Sequence, residues 1–253
     1  MSTSANDCFY SARAFVGLTA AALCCLSSPA SAATLGVEAD LEVGVVAASR
    51  NDVRIPGDTG TRLSLSSELS SSPTPVFRFR LGYRIADRHL ITALYAPLQL
   101  VASGSVDRDL SFAGATFAAG SPLLAVYRFD SYRLTYRYSF VRGDGLEIAA
   151  GLTGKIRDAE ISLHGAQVGR KKNTGFVPLV NLNVDWKPGN GRFGVLLDVD
   201  ALAAPQGRAE DILVAATWTV SEQVGLRAGY RMVEGGAGNE HIGKSNRHFE
   251  LSG

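Results

Sequence analysis

Beyond residue 32 the sequence has no cysteine; the three it contains are Cys8, Cys24 and Cys25. A chain without thiols after that point has no disulfide scaffold and no thiolate metal or catalytic site. No charge dominates either. The 25 basic and 24 acidic residues nearly cancel and no basic block stands out, which excludes a nucleic-acid binder held by a broad positive field. No uncharged apolar stretch reaches about 18 residues, so no transmembrane helix is available. Chemical signatures are missing as well: there is no G-x-S-x-G, no Gly-rich phosphate loop and no H-E-x-x-H. The four histidines, His89, His164, His241 and His248, have no spacing that suggests a shared metal, so neither metal nor cofactor is expected.

What is present begins with a leader. Arg13 precedes an apolar run from Ala14 to Leu26, followed by Pro29 and the small residues Ala30-Ser31-Ala32. That is the order of a secretory signal peptide, 1–32, cut after Ala32, which leaves 33–253 as one mature domain. The apolar run is too short to cross about 30 Å of hydrocarbon as an anchor. A lipid anchor at Cys24 or Cys25 is disfavoured, because Leu23 and Cys24 are not the small residues such processing prefers.

From Thr34 onward the chain alternates with a period of two between turn residues, and no helical period competes. Nine strands are expected: 35–49, 76–84, 89–102, 122–141, 145–163, 174–187, 192–203, 209–220 and 223–233. Short turns (86–88, 142–144, 188–191, 221–223) take turns with longer links (50–74, 103–121, 165–173, 203–208), the mark of up-and-down antiparallel strands. Two strands lose phase once. Tyr127 and Phe129 are odd-numbered while Tyr132 to Phe140 are even; Leu146 to Ile156 are even while Ala159, Ile161 and Leu163 are odd. A β-bulge inside each strand is the expected cause. Pro97 and Pro178 remove ladder donors and are expected near strand ends or bulges.

The stretch "SYRLTYRYSF" (131–140) poses the question of which face is wet. Its apolar face is bulky and aromatic, and Tyr83, Tyr138, Phe140, Trp186 and Trp218 stand close to short turns, as in the aromatic girdle of a membrane barrel. The opposite faces carry Arg, Glu and Asp with many glycines rather than a solvated mixture. The Tyr side is therefore assigned to lipid and the charged side to an enclosed lumen. The lumen is expected to be lined by Glu38, Asp40, Glu42, Arg78, Arg80, Arg84, Arg133, Arg137, Glu147, Lys155, Arg157, Asp185, Asp198, Asp200, Arg227 and Arg231. So small a barrel has room inside for side chains only, so a plugged interior is favoured over a narrow anion-preferring path. The fold class is thus an all-β, up-and-down antiparallel transmembrane β-barrel. Nine strands leave two parallel edges, so a tenth is expected in 234–253, an incomplete last loop and strand whose stub holds Phe249 and Leu251 and which reads as truncated or frameshifted.

The stretches "IPGDTGTRLSL", "SYRLTYRYSF", "AGLTGKIRDAEISL", "ALAAPQGRA" and "AGYRMVEGGAG" carry a resemblance. Over about 35–237 the chain resembles small Gram-negative outer-membrane β-barrels of the OmpA/OmpX kind, and more closely a group of predicted barrels of that kind. The ending "GKSNRHFELSG" departs from them, since such barrels usually finish on an aromatic residue. The resemblance implies residence in the outer membrane as a monomer, with outer-membrane lipid and the barrel assembly machinery as partners. It says little of activity. The expected function is a structural or interaction role, with narrow small-solute passage beside it and no enzymatic activity. Two rivals are a lipid-modifying barrel enzyme and a soluble secreted ligand-binding barrel. Lipid deacylases resembling small barrels use Ser and His facing lipid, which draws attention to Ser162 and His164; the apolar Ala159, Ile161 and Leu163 claim the lipid side, so Ser162 and His164 are expected to face the lumen.

Overall fold

The computed structural model of the chain describes residues 9–16, 23–26, 36–56, 59–189, 191–204 and 207–237. They form strands only: β1 (Phe9–Val16), β2 (Leu23–Leu26), β3 (Gly36–Arg54), β4 (Leu63–Ser64), β5 (Ser70–Ser71), β6 (Thr74–Ile85), β7 (His89–Ala96), β8 (Gln99–Gly104), β9 (Leu110–Phe112), β10 (Ala115–Phe117), β11 (Leu123–Gly143), β12 (Leu146–His164), β13 (Val168–Trp186), β14 (Phe193–Ala204), β15 (Gly207–Thr219) and β16 (Val224–Ala237). Alternation rich in Val, Ile, Phe, Tyr and Thr selects the extended backbone. All nine expected strands are present, as β3, β6, the interrupted pair β7–β8, and β11 to β16. Each pairs antiparallel with the next. Pro97 falls in the break between β7 and β8, where the ladder needs no donor from it.

The tenth place is filled, though not from the end of the chain. β1 lies between β16 and β3 and is antiparallel to both, closing the ring. Two edges running in the same direction accept one strand of opposite direction between them. β1 belongs to the stretch read as a leader, whereas 238–253, with the stub at Phe249 and Leu251, lies outside the described residues.

One end of the ring carries the tight turns. Ala86 and Asp87 (φ 47° and 61°) and Asp144 and Gly145 (φ 49° and 74°) take the left-handed backbone that suits two-residue hairpins. The other end carries the long links, with β4 and β5 between β3 and β6, and the β9–β10 hairpin between β8 and β11. The expected 165–173 link shrinks to 165–167, because β13 begins six residues earlier, at Val168.

The mid-strand bulges are absent. β11 and β12 pair without interruption from Leu124↔His164 to Ser139↔Ala149, and the register shifts only between Ser139 and Val141, beside the turn. β12 and β13 pair unbroken over their whole length. Odd-numbered residues point inward along all of β11: Leu123, Ala125, Tyr127, Ser131, Arg133, Thr135, Arg137 and Ser139 are buried. On β12 the same holds for Ala149, Thr153, Lys155, Ala159, Ile161 and Leu163. The period of two never slips. What changes is chemistry: towards the turns the inside is polar and the outside apolar, and towards the loops the inside is apolar and the outside charged. Above the change, Tyr127, Ile161, Leu163 and Val53 of β3 join Ile55, Leu63, Leu65, Leu110, Phe112 and Phe117 from the long links in one apolar core that covers the mouth of the ring.

Candidate functional site

The interior below that cover is an ionic lattice, and strand register builds it. β3 presents Glu38, Asp40 and Glu42 inward beside Arg78, Arg80 and Arg84 of β6, with Asp40 opposite Arg80 and Glu42 opposite Arg78. Across the lumen, Arg133 reaches Asp200 at 2.8 Å and Asp211 at 2.6 Å. Asp211 also takes Arg78 at 3.0 Å and Arg231 at 2.5 Å. Arg231 holds Glu42 at 2.7 Å, and Arg227 holds Glu42 at 3.1 Å and Asp40 at 2.9 Å. Asp198 takes Arg137 at 2.5 Å and Arg80 at 3.2 Å. Asn181, wholly buried, accepts from Arg137 Nε at 2.6 Å and donates to Asp200 at 2.8 Å. Nearer the turns, Arg84 joins Glu38 at 2.8 Å and Glu147 at 3.0 Å.

Three of the expected lining residues stand apart from this lattice. Lys155 is buried with its ammonium 5.0 Å from the Phe129 ring centre, and no described carboxylate lies at ion-pair distance from it. Arg157 donates to Asn173 at 2.7 Å. Asp185 pairs at 2.6 Å with Lys187 of its own hairpin end. Two central members escaped the reading of residues: Asp211, where three arginines meet, and Asn181. The phase of β15 signalled the first, since Asp211 opposes the outward Ile212. Nothing marks an asparagine as a hub before its neighbours are known. Arg78, Arg80, Arg133, Arg137, Arg227 and Arg231, which would have to line an anion-preferring path, are cross-linked to carboxylates. A cavity of about 90 Å³ remains under the cover, lined in part by Glu42, Arg78, Phe129, Ser131, Arg133 and Arg231.

The outer wall reverses these preferences. Tyr83, Tyr138, Phe140, Trp186 and Trp218 are exposed beside the tight turns, and Trp218 stacks on Phe193 with ring centres 6.2 Å apart. Leu134, Leu152 and Phe176 are 61%, 67% and 70% exposed, and nothing among the described residues covers them. Tyr95 stacks on Tyr132 at 5.1 Å at the loop-side limit of this band. The next outward rows are charged: Asp130 and Asp158, then Arg128, Glu160 and Lys172, then Arg170. The Thr174 hydroxyl donates to Asp158 at 2.9 Å, and with the Lys172 ammonium beside it holds that carboxyl below the ordinary carboxylate range. A strand that keeps one phase while its outer face turns from aromatic to charged is leaving one solvent for another.

That inversion also corrects Ser162 and His164. Ala159, Ile161 and Leu163 are the inward residues, so alternation puts Ser162 and His164 on the outer face, where Ser162 is itself buried, with Ser162 Oγ and His164 Nε2 3.0 Å apart. Ser162 is ladder-paired on both sides, with Val126 and with Arg170. Among the described residues no three His, Cys, Asp or Glu side chains cluster as metal ligands, and no helix is long and apolar enough to cross a membrane.

No protein-family model matches the sequence, and no curated protein matches it. Among solved structures the chain is similar to Ail, the attachment invasion locus protein of Yersinia pestis, crystallised with the heparin analogue sucrose octasulfate. That likeness has 7% identity and a TM-score of 0.33, over 92% of this chain and 99% of that one. It is also similar to the translocator domain of autotransporter NalP from Neisseria meningitidis, with 10% identity and a TM-score of 0.36, over 92% of this chain and 89% of that one. The barrel itself stands on the strand pairing of this chain.

Proposed function

We propose that the chain is an integral β-barrel of the Gram-negative outer membrane, sealed along its axis, with a structural or interaction role rather than a transport or enzymatic one. The observation that supports it is the double inversion on β11 and β12. A soluble barrel keeps its apolar face inside throughout; here that holds only above Asp130 and Asp158. Below those residues, burying arginines while exposing Leu134 and Phe176 is favourable only if the surround is hydrocarbon. One chain supplies the whole ring, which suits a monomer.

The interaction side of this reading has a place on the molecule. β13 pairs with β12 along its whole length but with β14 only from Val180 onward, so among the described residues 168–179 forms a sheet edge with no neighbour on the loop side. Arg170, Lys171 and Lys172 lie on that edge. A free edge offers unpaired backbone groups to an extended partner segment, and three consecutive cations favour an acidic one. The leader reading and the position of β1 compete in the exported chain. Cleavage after Ala32 removes β1 and opens the ring between β16 and β3 until another strand fills it.

Sealing has a direct test. Purified protein in planar bilayers is expected to show no steady ion conductance, since arginine–carboxylate pairs and the apolar cover both block the axis. A reproducible single-channel current carried by the wild-type chain would replace the sealed barrel with a pore.

A further inference from the structure

The ionic lattice is balanced: its seven arginines face seven carboxylates, Asp211 among them. Lys155 and Arg157, successive inward residues of β12, stand beside it as extra cations. Arg157 at least reaches a neutral oxygen, that of Asn173, at 2.7 Å. Lys155 is 5% exposed, and among the described residues its ammonium has no hydrogen bond and no ion pair, only the Phe129 ring 5.0 Å away. A cation–π contact with one ring recovers only part of what an ammonium loses on leaving water. A buried charge so placed takes up a counter-ion or gives up its charge.

Room for a counter-ion is present. A cavity of about 40 Å³ opens at Lys155, walled by Asn51, Leu98, Leu100, Tyr127, Phe129 and Val233. Asn51 is 3% exposed, and its side-chain oxygen has no donor. Turning that amide over therefore breaks no bond to the oxygen and offers N–H donors to the same cavity. At roughly 10–15 Å³ for each water-sized occupant, the space suits a halide and excludes a sugar acid or a nucleotide.

We propose that this cavity binds one small monovalent anion, of chloride size, held by the Lys155 ammonium and the amide of Asn51. One unpaired ammonium selects a single negative charge, since a divalent ion would bring a second charge against walls that are mostly apolar. The ion completes the charge balance of the interior. It opens no path along the axis, because the lattice lies below it and the apolar cover above.

The test is urea unfolding of the full chain in phosphatidylcholine vesicles, with chloride exchanged for gluconate at constant ionic strength and gel migration scoring the folded fraction. Gluconate carries the same charge and is too large for the cavity. An ion bound only by the folded chain makes stability follow its concentration. The folded-to-unfolded ratio should therefore rise about tenfold for each tenfold rise in chloride once the site fills. Lys155→Met keeps the apolar stem and removes the charge; it should abolish that rise and fold at least as well as the wild type in gluconate. Asn51→Leu should raise the chloride concentration at which the rise begins about tenfold. A wild-type ratio indifferent to chloride overturns the site and leaves Lys155 uncharged in its cavity. A chloride response that survives Lys155→Met places the ion elsewhere and overturns the site as well.

Discussion

Asp211→Leu is expected to lose about 3–5 kcal/mol of folding stability, the largest effect of any single substitution in the interior, because it breaks a buried ionic cluster from one side. Asp211 has 3% of its side chain exposed and lies within 3.0 Å of Arg78, Arg133 and Arg231. Leucine would leave three guanidinium groups around an apolar side chain in place of the carboxylate they share. Glu42 and Asp200 continue to hold Arg231 and Arg133, so the loss stops short of three separate unpaired charges. Against a typical total of about 5–15 kcal/mol, the variant is at the edge of folding. Urea unfolding in lipid vesicles measures it. Adding Arg231→Met should recover part of the loss, since the two residues share one interaction. A loss below about 1 kcal/mol, the size of an exposed ion pair, would mean that water reaches the lattice.

Leu134→Arg is the second large effect, at about 2–4 kcal/mol, because Leu134 lies well inside the aromatic band where arginine meets hydrocarbon. Depth sets the expectation. The same change at Tyr138, nearer the turns on the same face, should cost about 0–1 kcal/mol. Folded fractions of both variants in vesicles, read from gel migration, give the comparison, and equal costs would contradict the depth assigned to the band. Arg133 is not the tolerant neighbour it resembles when residues are read singly. It is buried and bonded to Asp200 and Asp211, so Arg133→Leu takes a cation from two buried carboxylates and should destabilise, though by less than Asp211→Leu, because Asp211 keeps Arg78 and Arg231 and Asp200 keeps Asn181 and Thr153.

The existence and order of the nine strands were legible because a period of two over ten or more residues is a strong local signal, and the tight turns carry the residues their backbone needs. The facing of Arg133 against Leu134 was legible for the same reason. The apparent phase loss at Phe129 and Ala159 was misread, because an alternation rule assumes one solvent on each side for the whole strand. Where the outer face passes from hydrocarbon to water, the preferred side for Tyr127 or Ile161 inverts while the backbone does not. That single fact turned Ser162 and His164 to the wrong face and started β13 six residues late. Asp211 was passed over because the inward residues that follow it on β15, Leu213 and Ala215, are uncharged. They are buried beside the lattice, and only the folded ring shows that long arginines from β6, β11 and β16 converge on the one acid above them. The tenth strand was sought by continuing the chain past β16, whereas pairing requires only a strand of the right direction, which β1 provides.

The central claim is that one unbroken outer face of β12 lies in hydrocarbon near the turns and in water near the loops. Spin labels at Leu152, Ile156, Glu160 and His164, placed singly by cysteine substitution in a chain whose Cys8, Cys24 and Cys25 are serine, measure it directly in vesicles. Collision with oxygen, which concentrates in lipid, should dominate at 152 and 156, and collision with a water-soluble nickel chelate should dominate at 160 and 164. The change should fall between Ile156 and Glu160 with no break in strand mobility. Uniform access to the aqueous reagent at all four positions would contradict the account, because the exposed Leu152 and Ile156 would then face water and the barrel would not lie in a membrane.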